Sequence, residues 1–285
     1  MQYNFSRMKG GIIMKKIITL VLSLIMGLSL VFAAGCGSDP APATSSSGGD
    51  APDIKAVKDR GVLKIGVKVD VPKFGFKDPN TGKVDGMEID LARALAKKIL
   101  GDESKIEVQP VTAKTRGPLL DNGEVDFVIA TFTITDERKQ SYNFSDEYFK
   151  DGVALMVKKD AGITDLAGLN GKKIGVAQSA TSKQALVDEI KKQNLKIDIL
   201  EFGTYPEIKT ALDSGRIDCF SVDGAILAGY LDDTTVILPA RYSPQLYGVA
   251  AKKGNEGLTK VANDTIADMK SSGELDKILT KWGLK

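Results

Sequence analysis

Two stretches of the chain repeat the same order of predicted elements, and this repeat constrains the fold more than any other sequence feature. Leu120–Asp126 (Leu-Asp-Asn-Gly-Glu-Val-Asp) matches Leu212–Asp218 (Leu-Asp-Ser-Gly-Arg-Ile-Asp) almost position for position. In both places a helix pattern ends at the glycine and an apolar strand pattern follows. The shared order and the shared turn chemistry predict two related α/β units.

Each copy reads strand, helix, strand, helix, strand. The strand patterns cover residues 63–67, 106–111 and 125–130 in the first copy and residues 173–177, 197–202 and 217–222 in the second. Alternating elements of this kind predict an α/β fold with two lobes, each a mostly parallel sheet flanked by helices. Such sheets bind ligands at the carboxyl ends of their strands, so we expect the functional site in a cleft between the lobes.

Two further segments predict how the chain passes between the lobes. Apolar strands at 152–158 and 247–251 indicate two crossovers, and one last helix over Leu258–Trp282 would return to the first lobe. Two crossovers of this kind can act as a hinge. The resulting lobes are residues 54–150 with 246–285 (lobe 1) and residues 151–245 (lobe 2).

The N-terminal segment predicts export rather than a folded element. Two lysines precede the apolar run Ile17–Phe32, which is the pattern of a secretory signal peptide. The run ends in Ala-Ala-Gly-Cys, which resembles the bacterial lipobox, and this predicts a signal peptide over residues 1–35 and a lipid anchor on Cys36. The alternative is an uncleaved membrane helix, but a spanning helix needs about 20 apolar residues. Residues 36–53, rich in Ser, Gly, Ala and Pro, predict a flexible tether.

Composition excludes several classes of function. The chain has no histidine, so catalytic pairs and metal sites that need imidazole are excluded, and its two cysteines cannot form a four-cysteine metal site. Residues 1–35 carry four basic residues and no acid, which leaves 35 basic and 37 acidic residues in the rest of the chain. Nothing in that remainder is typical of a nucleic-acid-binding patch. We therefore expect no metal, no cofactor and no nucleic-acid partner.

The segment after the third strand of the first copy predicts a carboxylate site. Thr135 can cap a helix, which places Arg138 in the first turn of that helix. The free N–H groups of a helix N-terminus and a planar guanidinium both bind carboxylates, and the hydroxyls of Thr131 and Thr133 lie on the approach. Alternatively, Arg138 pairs on the surface with a local acid such as Asp136.

The second copy offers two equivalent positions. Thr181 follows the first strand of this copy and opens a helix, which is the equivalent anion position. Asp223 follows the third strand, at the position that Thr131 occupies in the first copy. A carboxylate that faces the cleft accepts hydrogen bonds from an ammonium group. The alternative is that Asp223 only caps the short helix that follows it.

Several of these segments together resemble the family 3 extracellular solute-binding proteins, which bind polar amino acids for ABC importers. The strongest likeness is Phe-Thr-Ile-Thr-Asp-Glu-Arg at 132–138, followed by Asn-Phe-Ser at 143–145. Shorter stretches that fit the same family lie at 66–67, 86–92, 175–178 and 221–223. The resemblance covers the chain from about residue 54 to its end and implies the two-lobed fold of type II periplasmic binding proteins.

This resemblance also implies roles for individual residues. In such proteins the arginine at the position of Arg138 holds the ligand α-carboxylate, with help from the positions of Thr133 and Thr181. The acid at the position of Asp223 takes the α-ammonium group, together with a backbone carbonyl near Thr131.

The side-chain pocket decides which amino acid binds. The resemblance implies that an aromatic residue at the position of Phe74 packs over the ligand. An arginine at the position of Arg116 resembles the aspartate- and glutamate-binding branch, in which the positions of Lys68 and Tyr205 also help. Two cations suit a distal carboxylate, because burying that group unpaired would cost several kcal/mol. Alternatively, Arg116 only ties its loop to a local acid such as Asp121.

These observations predict a lipid-anchored, monomeric binding protein on the outer face of a membrane. We expect it to close around aspartate or glutamate and to deliver the ligand to an ABC permease. Glutamine or another polar amino acid is the alternative ligand. A second alternative is an enzyme on the same scaffold, such as a dehydratase, but no histidine is present to protonate a leaving group, and we do not expect an enzyme.

Overall fold

The computed structural model describes residues 49–285; the predicted signal peptide, the predicted lipidation site Cys36 and most of the predicted tether lie outside these residues. The strands are β1 (Leu63–Val67), β2 (Asp70–Val71), β3 (Gly75–Lys77), β4 (Val84–Asp85), β5 (Ile106–Pro110), β6 (Phe127–Ile129), β7 (Tyr142–Lys158), β8 (Lys173–Ala177), β9 (Asp198–Phe202), β10 (Cys219–Asp223), β11 (Thr235–Ile237) and β12 (Tyr242–Lys252). The helices are α1 (Pro52–Arg60), α2 (Met87–Leu100), α3 (Arg116–Asp121), α4 (Asp136–Ser141), α5 (Thr181–Lys192), α6 (Tyr205–Asp213), α7 (Gly224–Ala228), α8 (Glu256–Ser271) and α9 (Glu274–Lys281).

One mixed sheet contains two parallel blocks of strands. In the first block β1 lies between β5 and β6, and in the second block β8 lies between β9 and β10, with all four pairings parallel. The antiparallel pair β12 and β7 joins the blocks, which gives the order β5-β1-β6-β12-β7-β10-β8-β9, and β11 adds to β7. Both copies of the predicted repeat therefore have the same strand order, with the first strand in the centre. Strands β2, β3 and β4 form a small separate sheet.

The two joining strands are longer than the sequence pattern predicts. The predicted strands at 152–158 and 247–251 are parts of β7, which begins at Tyr142, and of β12. The predicted lengths are wrong because the aromatic stretch before residue 152 belongs to the same strand, and Phe149 lies opposite Tyr247 in the antiparallel pair. β12 borders the first block and β7 borders the second. The predicted lobe boundaries fall within these strands and stay a prediction.

The predicted C-terminal helix is interrupted. Instead of one helix over Leu258–Trp282, the structure has α8 and α9, which are separated at Gly273. Gly273 has a φ of 73°, a left-handed conformation that glycine adopts without steric cost and that interrupts a helix. At the other end, α1 begins at Pro52, inside the segment predicted as tether.

The apolar core lies between the sheet and its helices. One face of α2 is apolar and buried, and so is Cys219 in β10, which is a free thiol. The turn that leads into α2 requires Gly86, because a Cβ at this position would collide with the carbonyl of Phe74. The same carbonyl accepts a hydrogen bond from the Glu88 backbone N–H at 3.0 Å, which brings the start of α2 close to the small sheet.

Within residues 49–285, no helix combines the length and the apolar character that crossing a membrane requires.

Candidate functional site

The predicted binding residues gather near the carboxyl ends of the parallel strands. Lys68 follows β1, Thr131 follows β6, and Asp223 ends β10. Seven of the nine predicted residues are buried, namely Lys68, Phe74, Arg116, Thr131, Thr133, Tyr205 and Asp223. Arg138 and Thr181 are half-buried. Because a buried charge is costly without a partner, the contacts of the charged members indicate what the site can bind.

Arg138 lies in the first turn of α4, as predicted. The Thr135 hydroxyl accepts a hydrogen bond from the Arg138 backbone N–H at 3.1 Å. The guanidinium Nη1 donates to the carbonyl of Thr133 at 2.8 Å, and Nη2 donates to the carbonyl of Ser179 at 3.1 Å. The alternative of an ion pair with a neighbouring acid is wrong. Burial, with added repulsion from Arg116, lowers the pKa of Arg138 to about 9, so an anionic ligand here would stabilise its charged form.

A buried glutamine joins two of the predicted residues, and no sequence pattern singles it out. The Oε1 atom of Gln245 accepts hydrogen bonds from the hydroxyls of Thr133 and Thr181, both at 2.7 Å. Its amide group donates to the carbonyl of Ser243 at 3.0 Å. Thr133 follows the first parallel block and Thr181 opens α5 in the second, so Gln245 on β12 links the two copies of the repeat.

Asp223 faces the interior and does not cap the helix that follows it. Its side chain makes no capping hydrogen bond with α7, and the Tyr247 hydroxyl donates to its Oδ2 instead. Asp151 of β7 contacts the start of α7, since its Oδ2 accepts a hydrogen bond from the Ala225 backbone N–H at 2.6 Å. Burial raises the pKa of Asp223 to about 7, and the negative charge of Asp151 contributes to the increase. A cationic ligand group would favour the ionised form of Asp223.

Lys68 is almost fully buried and has one carboxylate beside it. Its Nζ lies 3.0 Å from Asp70 Oδ1 and 4.5 Å from the centre of the Tyr205 ring. A hairpin of β2 and β3 follows Lys68, and Gly75 is required in it because a Cβ there would collide with the Lys68 carbonyl. Burial lowers the pKa of Lys68, and the charge of Asp70 opposes this effect. Asp70 was not among the residues predicted from the sequence.

Arg116 and Glu88 both hold the end of β6. The Nη1 group of Arg116 donates to the carbonyls of Ala130 at 2.6 Å and Thr131 at 3.1 Å, rather than to a surface acid. Glu88 Oε1 accepts hydrogen bonds from the Thr131 backbone N–H and the Tyr148 hydroxyl, both at 2.6 Å. These contacts hold Thr131 at a φ of 45°, a left-handed conformation that is uncommon outside glycine. Acidic residues are common in the first turn of a helix, so the sequence does not single out Glu88.

Aromatic rings line the same interior. The ring of Phe132 lies 4.1 Å from the Arg116 Cζ and 4.6 Å from the Arg138 Cζ, so it contacts both guanidinium groups. Phe74 is fully buried and lies edge-on to Phe149, with ring centres 5.1 Å apart, and to Tyr247, with ring centres 5.9 Å apart. The expected contact of Phe74 with a ligand stays a prediction.

A cavity of about 1000 Å³ opens beside Arg138, and its lining includes Phe132, Thr133, Ser179, Thr181 and Gln245. Asp223 is buried and does not line this cavity, but its negative charge acts on the pKa of Arg138. Two opposite charges of this kind suit a molecule that carries both an anionic and a cationic group. Within residues 49–285 no cluster of three carboxylate or thiol side chains is arranged to hold a metal ion.

Comparisons with known proteins identify the family of this chain. A sequence profile of the bacterial extracellular solute-binding proteins, family 3, matches residues 63–285. The ABC transporter glutamine-binding protein GlnH of Bacillus subtilis (strain 168) is 39% identical over 272 residues, which cover 94% of this chain and 97% of that protein. The glutamine-binding protein of Geobacillus stearothermophilus is 41% identical over 258 residues, which cover 87% of this chain and 97% of that protein.

A solved structure also shares the fold. An ancestral arginine-binding protein bound to arginine is 40% identical in sequence and superimposes with a TM-score of 0.71 over 78% of this chain and 98% of that chain. The predicted fold class is therefore confirmed.

Proposed function

We propose that this chain, which belongs to the bacterial extracellular solute-binding proteins of family 3, binds free L-glutamine outside the cytoplasm and delivers it to an ABC importer. Both curated relatives described above are glutamine-binding proteins, and neither is an enzyme. The sequence alone favours aspartate or glutamate as the ligand, whereas these relatives favour its alternative, glutamine.

The amino-acid part of this function is supported by two opposite charges that lack ion-pair partners of their own. Within the described residues, neither Arg138 nor Asp223 forms a salt bridge, yet the charge of each acts on the pKa of the other. Burial shifts both groups toward their neutral forms. An α-amino acid supplies a carboxylate to the guanidinium and an ammonium group to the carboxylate, which stabilises both charged forms. The hydroxyls of Thr133 and Thr181 lie beside the carboxylate position.

The side-chain part is supported by the relatives and by the contacts of two buried cations. Lys68 already has Asp70 as a counterion, and Arg116 already donates to two backbone carbonyls. A neutral polar side chain therefore adds no net charge to the pocket. Aspartate or glutamate is the second candidate, favoured by the proximity of Lys68, Arg116 and Arg138, which are three cations in one interior.

In the proposed mechanism the two predicted lobes close around the ligand. Arg138 docks the α-carboxylate, and Asp223 and Thr181 of the second copy then complete the site. The joining strands β7 and β12 act as the hinge, and contacts made only in the closed state drive closure. The lipid anchor predicted on Cys36 would keep the protein at the outer face of the membrane, beside its permease. A Cys36→Ser change should release the protein from the membrane fraction.

Isothermal titration calorimetry with the twenty amino acids tests the ligand. Retained ligand is first removed by unfolding, dialysis and refolding, and the removed material is identified by mass spectrometry. We expect glutamine to bind with the lowest Kd, and glutamate, aspartate and arginine to bind at least tenfold more weakly. The lowest Kd for glutamate or aspartate would favour the second candidate, and no binding of any amino acid would overturn the function.

A pair of adjacent substitutions tests the carboxylate site. Arg138→Ala should abolish binding of every amino acid, because the α-carboxylate is common to all of them. Lys139→Ala removes an exposed cation one residue away and should leave the Kd unchanged. Glutamine binding that survives Arg138→Ala with an unchanged Kd would contradict the proposed role of Arg138.

A further inference from the structure

The carboxylate of Asp70, which lies beside Lys68 and whose side chain is 15% exposed, has no role in the mechanism above. We propose that Asp70 selects a carboxamide side chain over a carboxylate, with the Nε group of Arg116 as the complementary donor. This inference rests on the proposed function, in which the ligand is glutamine.

The side-chain oxygens of Asp70 lack hydrogen-bond donors. Both are buried, and neither accepts a hydrogen bond from any residue in the range 49–285. Lys68 Nζ lies 3.0 Å from Oδ1, but the angles of this ion pair are not those of a hydrogen bond. The Tyr230 hydroxyl donates to the backbone carbonyl of Asp70. This hydrogen bond holds the backbone and does not involve the side-chain oxygens. Buried carboxylate oxygens without donors are costly, so they indicate a ligand that donates N–H groups.

Arg116 supplies a matching unpartnered donor. Its Nη1 group donates to backbone carbonyls, but its Nε is buried and has no acceptor in the part of the chain that the structure describes. Burial raises the pKa of Tyr205, and the charges of both Arg116 and Asp70 also act on that pKa. Both charges act on the pKa of Lys68 as well, whose Nζ lies over the Tyr205 ring. β1 and β6 are paired with Val67 opposite Ile129, so Lys68 and the Ala130 carbonyl that Arg116 holds follow at neighbouring strand ends. The unpartnered donor and the unpartnered acceptors therefore lie at the same edge of the sheet.

A carboxamide matches this arrangement and a carboxylate does not. The amide group of glutamine has one acceptor oxygen and two N–H donors, so it can accept from Arg116 Nε while it donates to Asp70. The side chain of glutamate has only acceptors when ionised, so it would leave the Asp70 oxygens without donors and would repel them. The ammonium group of Lys68 does not offset this repulsion, because it already forms an ion pair with Asp70. Selection by repulsion of the wrong ligand is a general source of specificity.

The experiment compares the Kd values for glutamate and glutamine by calorimetry. Asp70→Asn removes the repelling charge and frees Lys68 to pair with a ligand carboxylate. We expect the ratio of the glutamate Kd to the glutamine Kd to fall at least tenfold. The matched control is Asp268→Asn, which breaks an exposed pair with Lys98 of the same 3.0 Å separation and should leave the ratio unchanged.

A second variant changes the ratio in the opposite direction. Lys68→Gln leaves the charge of Asp70 without a counterion, so we expect the ratio to rise at least threefold. Circular dichroism shows whether each variant is folded, and if Asp70→Asn does not fold, Lys68→Gln decides.

Each outcome separates this inference from the proposed function. Wild-type protein that prefers glutamine, together with an unchanged ratio in folded Asp70→Asn, overturns the role of Asp70 alone. In Lys68→Gln, a ratio of the glutamate Kd to the glutamine Kd that stays constant or falls also overturns the role of Asp70 alone. Wild-type protein that binds neither ligand, or that prefers glutamate, overturns the proposed function and this inference with it.

Discussion

Replacing Glu88 with glutamine tests how the ionisation of one buried carboxyl group limits the stability of this fold. Glu88 is 0% exposed, and its Oε1 accepts two hydrogen bonds, from Thr131 and Tyr148. Its Oε2 accepts none within residues 49–285. Burial disfavours the ionised form and raises the pKa of Glu88 from its ordinary 4.5 to about 7.

The pKa difference determines both the sign and the size of the effect. Between pH 4.5 and about pH 7 the folded protein keeps a proton on Glu88 that the unfolded chain has lost. The free energy of unfolding therefore falls as the pH rises through this range. The stabilisation that comes from protonated Glu88 is fully present below pH 4.5 and is lost near pH 7. Because one pH unit corresponds to ~1.4 kcal/mol, the loss that comes from Glu88 is about 3 kcal/mol.

Urea unfolding of the ligand-free wild type and of Glu88→Gln, between pH 4 and pH 8, measures this contribution. Glutamine keeps an oxygen that can accept both hydrogen bonds, but it does not ionise. Asp223 also has a pKa raised to about 7, and its titration is present in both proteins, so it cancels in the difference between them. We expect the wild type to lose about 3 kcal/mol more than the variant over this range. Equal losses in the two proteins would refute the reasoning.

The ionised form of Asp223 binds the ligand ammonium group in the proposed mechanism, so the affinity of the wild type for glutamine should fall about tenfold from pH 8 to pH 6, and a Kd independent of pH would contradict this role. Gln245→Ala should raise the glutamine Kd about tenfold, which is the worth of about one hydrogen bond, whereas the exposed Gln193→Ala should leave it unchanged. Thr204→Ala removes the capping box that Thr204 forms with Glu207 at the start of α6 and should lower the free energy of unfolding by about 1 kcal/mol, as measured by urea unfolding.

Features that depend on neighbouring residues could be predicted from the sequence. The predicted strands at 63–67 and 173–177 coincide with β1 and β8, and the predicted cap at Thr135 is present. Each of these rests on a contiguous apolar run or on a side chain three residues from its partner. The full lengths of β7 and β12 could not be predicted, because their pairing joins distant segments and contains β-bulges that no local pattern indicates.

The same distinction separates the predicted from the missed site residues. Arg138 and Asp223 were predicted because each follows directly on a buried strand or a helix cap. Gln245, Glu88 and Asp70 were missed because their roles depend on burial and on partners far away in the chain. Gln245, for example, contacts a threonine 64 residues away. A neutral amide in a strand, or an acid in a first helical turn, is an ordinary residue until the tertiary structure places it in the interior.

The joining strands form the proposed hinge and also carry residues of the proposed site, so in this proposal ligand recognition and movement depend on the same residues. On β12, Tyr247 donates to Asp223, and Gln245 accepts from threonines of both copies. A rotation about this strand would therefore change the contacts of the groups that are proposed to hold the α-ammonium and the α-carboxylate. By contrast, the three residues proposed to distinguish ligand side chains, Lys68, Asp70 and Arg116, all belong to the first copy. Under this proposal side-chain preference can change without altering closure, which is consistent with glutamine- and arginine-binding relatives of one fold.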